Sequence, residues 1–198
     1  MAYKTLHERL NGDIAKQLQT ELKIKNVHAL PRLKKIIVNV GINKTKMDSK
    51  ELHEYIQESL KKITGQKAVT TLSRKAISNF KTREGGVVGA VVTLRGKRME
   101  EFLDRLVSYV LPRIRDFRGL PNKLDGHGNY AIGLRDHTIF PEIGSADPGK
   151  VFGLQIQLTI SGGSDANSRA LLHAVGMPMI KSKKVADSSA SSNTDRPS

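Results

Sequence analysis

The sequence predicts an α+β fold: an antiparallel sheet of split β-α-β-β-α-β type with an added strand, helices packed on one face and the other face left free. Three observations predict it. The first is order. Between Leu33 and Leu134 the patterning runs strand, helix, strand, strand, helix, strand, the order of the split arrangement. The second is VFGLQIQLTI, Val151 to Ile160. Phe152, Leu154, Ile156, Leu158 and Ile160 point one way and Gln155, Gln157 and Thr159 the other, so this strand is buried on one face. The third is that each helical stretch carries its apolar residues along one face, leaving one side to bury.

Leu6, Leu10, Ile14, Leu18 and Leu22 recur every four residues, predicting an N-terminal helix that ends before Pro31. LKKIIVNVG, Leu33 to Gly41, is β-branched and predicts a strand. Asp48 and Ser49 are capping candidates for KELHEYIQESLKKITG, where Leu52, Tyr55, Ile56, Leu60 and Ile63 share a face and Gly65 is the stop. Ala68 to Leu72 predicts a short strand, Ser73 to Gly86 a long basic connection, and Val87 to Leu94 another strand. A third helix is expected over about Lys97 to Asp116, with a wide apolar face from Met99 to Ile114; Pro112 inside it predicts a kink or an early end. GLPNKLDGHGN, Gly119 to Asn129, reads as a loop, NYAIGL as a strand, and a last helix starts near Ser164, uses Ala170, Leu171 and Ala174, and stops at Gly176 and Pro178. Residues 1–180 are expected to form a single domain, and 181–198, basic, Ser-rich and low in apolar residues, a disordered tail.

Composition narrows the function classes. Lys and Arg total 33 against 19 Asp and Glu, a formal net charge of +14 in 198 residues. A chain this basic usually meets a polyanion, nucleic acid first and an acidic membrane surface second, against the plain alternative of a soluble basic protein. The absence of cysteine removes disulfides, thiolate zinc sites and cysteine nucleophiles. His7, His28, His53, His127, His137 and His173 include no pair at the i,i+4 spacing of a helical metal site. No apolar run approaches the roughly 18 residues of a membrane span, and the charged N-terminus lacks the apolar core of a secretory signal. A cytoplasmic protein without metal or cofactor is expected.

Two motifs invite catalytic readings and fail on their surroundings. GSADPGK, Gly144 to Lys150, has the spacing of a phosphate-binding P-loop, the basis of an alternative reading as a nucleotide-dependent enzyme. Yet a working P-loop continues into Ser or Thr and then a helix. Here Val151 follows and the next element is a strand, so a polar turn is the better reading. DGHG, Asp125 to Gly128, offers a lone Asp and His in a glycine-rich loop, the usual makings of a turn. The segment from Arg74 to Arg98 differs. It holds Arg74, Lys75, Lys81, Arg83, Arg95, Lys97 and Arg98 against one acid, Glu84, with Ser73, Ser78, Asn79 and Thr82 as neutral donors and Phe80 among them. Two readings stay open on charge alone: an exposed aromatic that stacks on a base while cations hold phosphates, or a solvated hairpin with Phe80 folded back onto the core. A second basic patch, RIRDFRG from Arg113 to Gly119, and the free sheet face favour RNA.

TLRGKRMEEFLDRLVSYVLPRIRDFRGL, LDGHGNYAIGL and IFPEI, with PRLKKIIVNVG, TGQKAV and KAISNFKTREG, closely resemble the bacterial form of large-subunit ribosomal protein five, over about residues 3 to 180. The resemblance implies a structural ribosomal protein, not an enzyme, that binds 5S rRNA through its sheet and helps seat it in the central protuberance beside large-subunit rRNA and neighbouring large-subunit proteins. It implies rRNA-binding roles for Asn39, Gln66, Arg74, Lys75, Phe80, Thr93 and Arg95. It further implies that Ser78, Asn79, Phe80, Lys81, Thr82 and Arg83 lie near the peptidyl-site tRNA, and that a surface near FPEI bridges to a small-subunit head protein. The chain departs from the family in GINKTK, in GSADPGK, in Met177 and Met179 where an aromatic pair is expected, and in its longer tail.

Overall fold

In the computed structural model, which describes residues 6–42, 49–144, 148–162 and 164–180, the alternation of the first strand is realised as burial. Strand β1, Arg32–Gly41, places Ile36, Val38 and Val40 at 0% exposure and turns Ile37 and Asn39 to the opposite face. Burying each such side chain stabilises the fold by about 1.5–3 kcal/mol. A register irregularity between Leu33 and Lys35 returns Leu33 to the core side, leaving Lys34 exposed and Lys35 on the outer face.

Helix α1, Leu6–Asn11, and helix α2, Asp13–Leu22, together carry the N-terminal stripe; the helix expected as one piece is interrupted at Gly12, and Leu6, Ile14 and Leu18 are buried. Helix α3, Lys50–Thr64, begins where the Leu52 N–H donates to the Ser49 hydroxyl at 3.3 Å and ends at Gly65 with φ +68°, as its sequence predicts. The other capping candidate, Asp48, and most of GINKTK lie outside the described residues. Strand β2, Val69–Leu72, and strand β3, Val87–Leu94, follow.

Helix α4, Gly96–Arg105, continues into a π-helical turn over Leu106–Val110 and a 3-10 turn over Leu111–Arg113. Pro112 explains the change. It has no N–H to donate and its ring crowds the preceding turn, so the coil widens before it and ends just after it. Strand β4, Tyr130–Leu134, strand β5, Leu154–Ser161, and helix α5, Asp165–Val175, complete the described chain. The tail expected over 181–198 lies outside the described residues.

The five strands form one antiparallel sheet in the order β2-β3-β1-β5-β4. Two split units interlock in it: β3 lies between β1 and β2, and β1 lies between β3 and β5. The strand beside β1 is therefore β5, and β4 is the added strand at the edge. That corrects the sequence reading, which closed the split motif with the Leu134 strand. Helix-side residues of all the long strands join one core with Leu60, Ile63, Phe102, Leu106 and Leu171.

The glycine-rich loop before β4 is tied down at several points. Asp125 Oδ1 accepts the N–H groups of His127 and Asn129 at 2.8 and 2.9 Å, and Oδ2 accepts from the Asn129 side chain at 2.6 Å. The Tyr130 hydroxyl donates to Pro121 O at 2.6 Å, Arg169 Nε to Asn122 Oδ1 at 2.7 Å, and Gly128 N to Asp165 Oδ1 at 2.9 Å. Gly128 has φ +84°, and a Cβ there would stand 2.5 Å from the Oγ of buried Ser168. Gly128→Ala combines left-handed strain with a steric clash. It is expected to lower stability by about 2 kcal/mol, read as a reduced urea midpoint at unchanged m-value.

Candidate nucleic-acid interface

The sheet face away from the helices is assembled by register. Val91, Asn39 and Gln155 are neighbours across β3, β1 and β5, with Val69 and Gly133 continuing the row onto β2 and β4. Thr93, Ile37, Gln157 and Ala131 form the next row, and Lys35 sits beside Thr159. Amides, hydroxyls and small apolar groups alternate on a surface about 19 Å wide, from four strand spacings. No acidic side chain occurs in these rows.

Asn39 and Thr93 share this face as diagonal neighbours across the β1–β3 pair, about 7–8 Å apart by strand geometry. Asn39 occupies the middle strand of the five. Gln66 lies just past the Gly65 cap and before β2, at the end of the sheet where Thr93 and Arg95 lie. Arg95 is the exposed residue preceding α4.

Arg74, Lys75 and the segment Ser78 to Arg83 lie at the opposite end. Here β2 and β3 extend into a hairpin, with Ser73 N bonded to Gly86 O at 2.8 Å and Ile77 bridged to Thr82. Ser78–Phe80 forms a 3-10 turn that ends at Lys81 with φ 51°. Arg74, Lys75, Ser78, Asn79, Lys81 and Arg83 are exposed, and Thr82 is half-buried. Phe80 is 68% exposed. Of the two readings of this segment, the one that folds Phe80 back onto the core is excluded. Leu72 and Ile77 are exposed beside it.

The rival motifs resolve as turns. Pro148–Lys150 is a 3-10 turn leading into β5, so no helix N-terminus follows GSADPGK; Ser145, Ala146 and Asp147 lie outside the described residues. Lys150 Nζ stands 5.7 Å from the centre of the Tyr55 ring. Asp125 holds its loop, and its hydrogen bonds, the Asn129 side chain foremost, lower its pKa. Among the described residues no group of three or more His, Asp or Glu side chains is placed to hold a metal ion, and no helix is long and apolar enough to cross a membrane.

A buried histidine escaped the sequence reading. His137 is 0% exposed, stacked on Phe152 at 3.9 Å between ring centres. Its Nδ1 accepts the Phe152 N–H at 3.4 Å, which leaves Nε2, 3.0 Å away, to donate to the Tyr55 hydroxyl. A lone His in a polar turn carries no signal of this. Burial lowers its pKa, opposed by the nearby charge of Asp136. FPEI is anchored beside it: Phe140 stacks on Phe102, and Glu142 pairs with Arg105, whose other nitrogen donates to Ile63 O at 3.2 Å.

Comparison with known proteins identifies the family. Residues 26–83 match the family model described as Ribosomal protein L5, and residues 87–179 match the model of the C-terminus of the same ribosomal family. The chain belongs to the ribosomal protein L5 family. The large ribosomal subunit protein uL5 of Alkaliphilus metalliredigens is 45% identical over 177 residues, 89% of this chain and 98% of its own. Those of Synechocystis and Bdellovibrio bacteriovorus are each 47% identical, over 88% and 89% of this chain and 96% and 98% of theirs. As a member of the L5 family the chain is a structural protein of the large ribosomal subunit and not an enzyme.

His137 makes one property of this L5-family chain pH-sensitive. The native state holds the ring neutral at a lowered pKa, while the unfolded chain protonates at about 6.5. Below that pH the unfolded state binds more protons, so stability falls as pH falls. Thermal unfolding between pH 8 and 5 is expected to show this decline in the wild type. His137→Gln, which keeps a donor and an acceptor, should flatten it.

Proposed function

We propose that the chain binds 5S rRNA across the open face of its sheet and helps attach it, with large-subunit rRNA, in the central protuberance. Asn39, Thr93 and Gln66 supply fixed donors and acceptors, Arg74, Lys75 and Arg95 neutralise phosphates, and Phe80 stacks on a base or ribose. The hairpin segment Ser78 to Arg83 contacts the peptidyl-site tRNA. The surface around FPEI meets a small-subunit head protein, and neighbouring large-subunit proteins complete the setting.

The observation that carries this reading is the exposure of Phe80 among cations that outnumber the one nearby acid, Glu84, at the end of a sheet face rich in uncharged polar groups. A water-exposed phenyl ring contributes little to folding. Its place beside Arg74, Lys75, Lys81 and Arg83 suits a partner that offers both π-faces and phosphates. For the head-protein contact, support comes from the rigid anchoring of FPEI. Phe140 itself is buried, so Pro141 and the residues after it provide the accessible surface.

The test is binding of purified protein to 5S rRNA across a salt series, with an unrelated structured RNA as competitor. Competitor-resistant binding with a log–log slope of about −4 to −5 is expected if roughly five or six phosphates are neutralised. Phe80→Ala should weaken binding by roughly tenfold at constant slope, and Arg74→Ala should reduce the slope by about one. Lys16→Ala on the N-terminal helix should do neither. Equal binding of both RNAs, abolished by salt, would leave only a basic surface.

A further inference from the structure

The open face does not end flat. At its β4 edge, opposite the hairpin, lies a surface notch of about 240 Å³. Its floor is the exposed cross-strand pair Ala131 and Gln157, the end of the row that begins at Thr93. Its wall is the glycine-rich loop, through Lys123, Leu124, Asp125 and Asn129. We infer that this notch receives one unstacked nucleobase of the RNA laid on the sheet, a base bearing an exocyclic amino group. The inference rests on the open-face reading proposed above and assigns that face a second anchoring point.

Three features support it. Small residues make the space: Ala131 and Gly133 are the outward-facing positions of β4, so the edge lies lower than the adjoining β5 surface with Gln155 and Gln157. The wall is preorganised. Asp125 is held by three hydrogen bonds, the Tyr130 hydroxyl is bonded to Pro121, and Gly128 is bonded to Asp165, so little ordering remains to oppose binding. The chemistry matches a base edge better than a phosphate. Asp125 is an ionised acceptor, repelling a phosphate but suited to an amino group. Gln157 presents both a donor and an acceptor, Leu124 and Ala131 supply apolar contact, and Lys123 stands on the rim where the backbone of such a nucleotide would pass.

The test uses the full chain, 5S rRNA and the same salt series. Ala131→Phe fills the notch from an exposed strand position, and Gln157→Ala removes the floor amide without filling it. Filling is expected to lower affinity roughly tenfold and removal of the amide somewhat less, both at unchanged salt slope because no phosphate contact is lost. Lys123→Ala should lower the slope by about one. Base-specific chemical probing should show one amino-bearing base protected by the wild type and exposed with Ala131→Phe. Wild-type affinity in both Ala131→Phe and Gln157→Ala overturns the notch and leaves the open-face reading standing. Loss accompanied by a reduced slope replaces the base with a phosphate and overturns it too. Failure of the wild type to bind 5S rRNA overturns both readings together.

Discussion

The period-two alternation of β1 is the constraint on which the rest of the molecule depends. Ile36, Val38 and Val40 fill the centre of the core, so their neighbours Ile37 and Asn39 have no choice of face. A slip of one residue would bury the Asn39 amide and the Lys35 ammonium and expose three aliphatic side chains, losing several kcal/mol of transfer free energy and burying polar groups besides. Because β1 is bonded to β3 on one side and β5 on the other, its register dictates theirs. Val91 and Gln155 flank Asn39, and Thr93 and Gln157 flank Ile37, because the core pins β1. The polar composition of the outer face is thus the complement of the core pattern.

The two edges of the sheet solve different problems. At the β2 edge, Val69 is 64% exposed, and Leu72, Ile77 and Phe80 are exposed beyond it. A bare apolar edge invites pairing with another chain. The cations of the adjoining hairpin oppose that between like molecules, because two copies of a +14 chain repel, while an anionic partner is attracted. At the β4 edge the outward residues are alanine and glycine, and the glycine-rich loop stands alongside.

The fold was legible where physics is local. Among the described residues, period-two and period-3.6 patterns located the five strands and, but for the break at Gly12, the α-helices to within a few residues, and Gly65, Ser49 and Pro112 marked real ends and distortions. Phe80 was conspicuous in one dimension as an aromatic among cations, and of its two readings the exposed one holds. Pairing was not legible in the same way. That β5 and not β4 joins β1 depends on which apolar faces fill the core, a long-range property. The interruption at Gly12 lies within an unbroken apolar stripe that periodicity reads as one helix. His137 was invisible because its burial is decided by Tyr55 and Phe152, far away in sequence. The notch is likewise made by register, which brings Ala131 beside Gln157 and sets both against a loop whose glycines read only as flexibility.

That loop and the hairpin show why sequence composition misleads about stiffness. Both are rich in glycine and polar residues. Yet the loop is cross-tied to its own backbone and to α5 through Asp125, Asn122 and Gly128, whereas the described bonds of the hairpin are mostly backbone pairs close to its own stem and tip. Local opening therefore costs less in the hairpin. An RNA laid across the sheet as proposed above would meet side-chain ties at the β4 side and mainly backbone pairs at the hairpin.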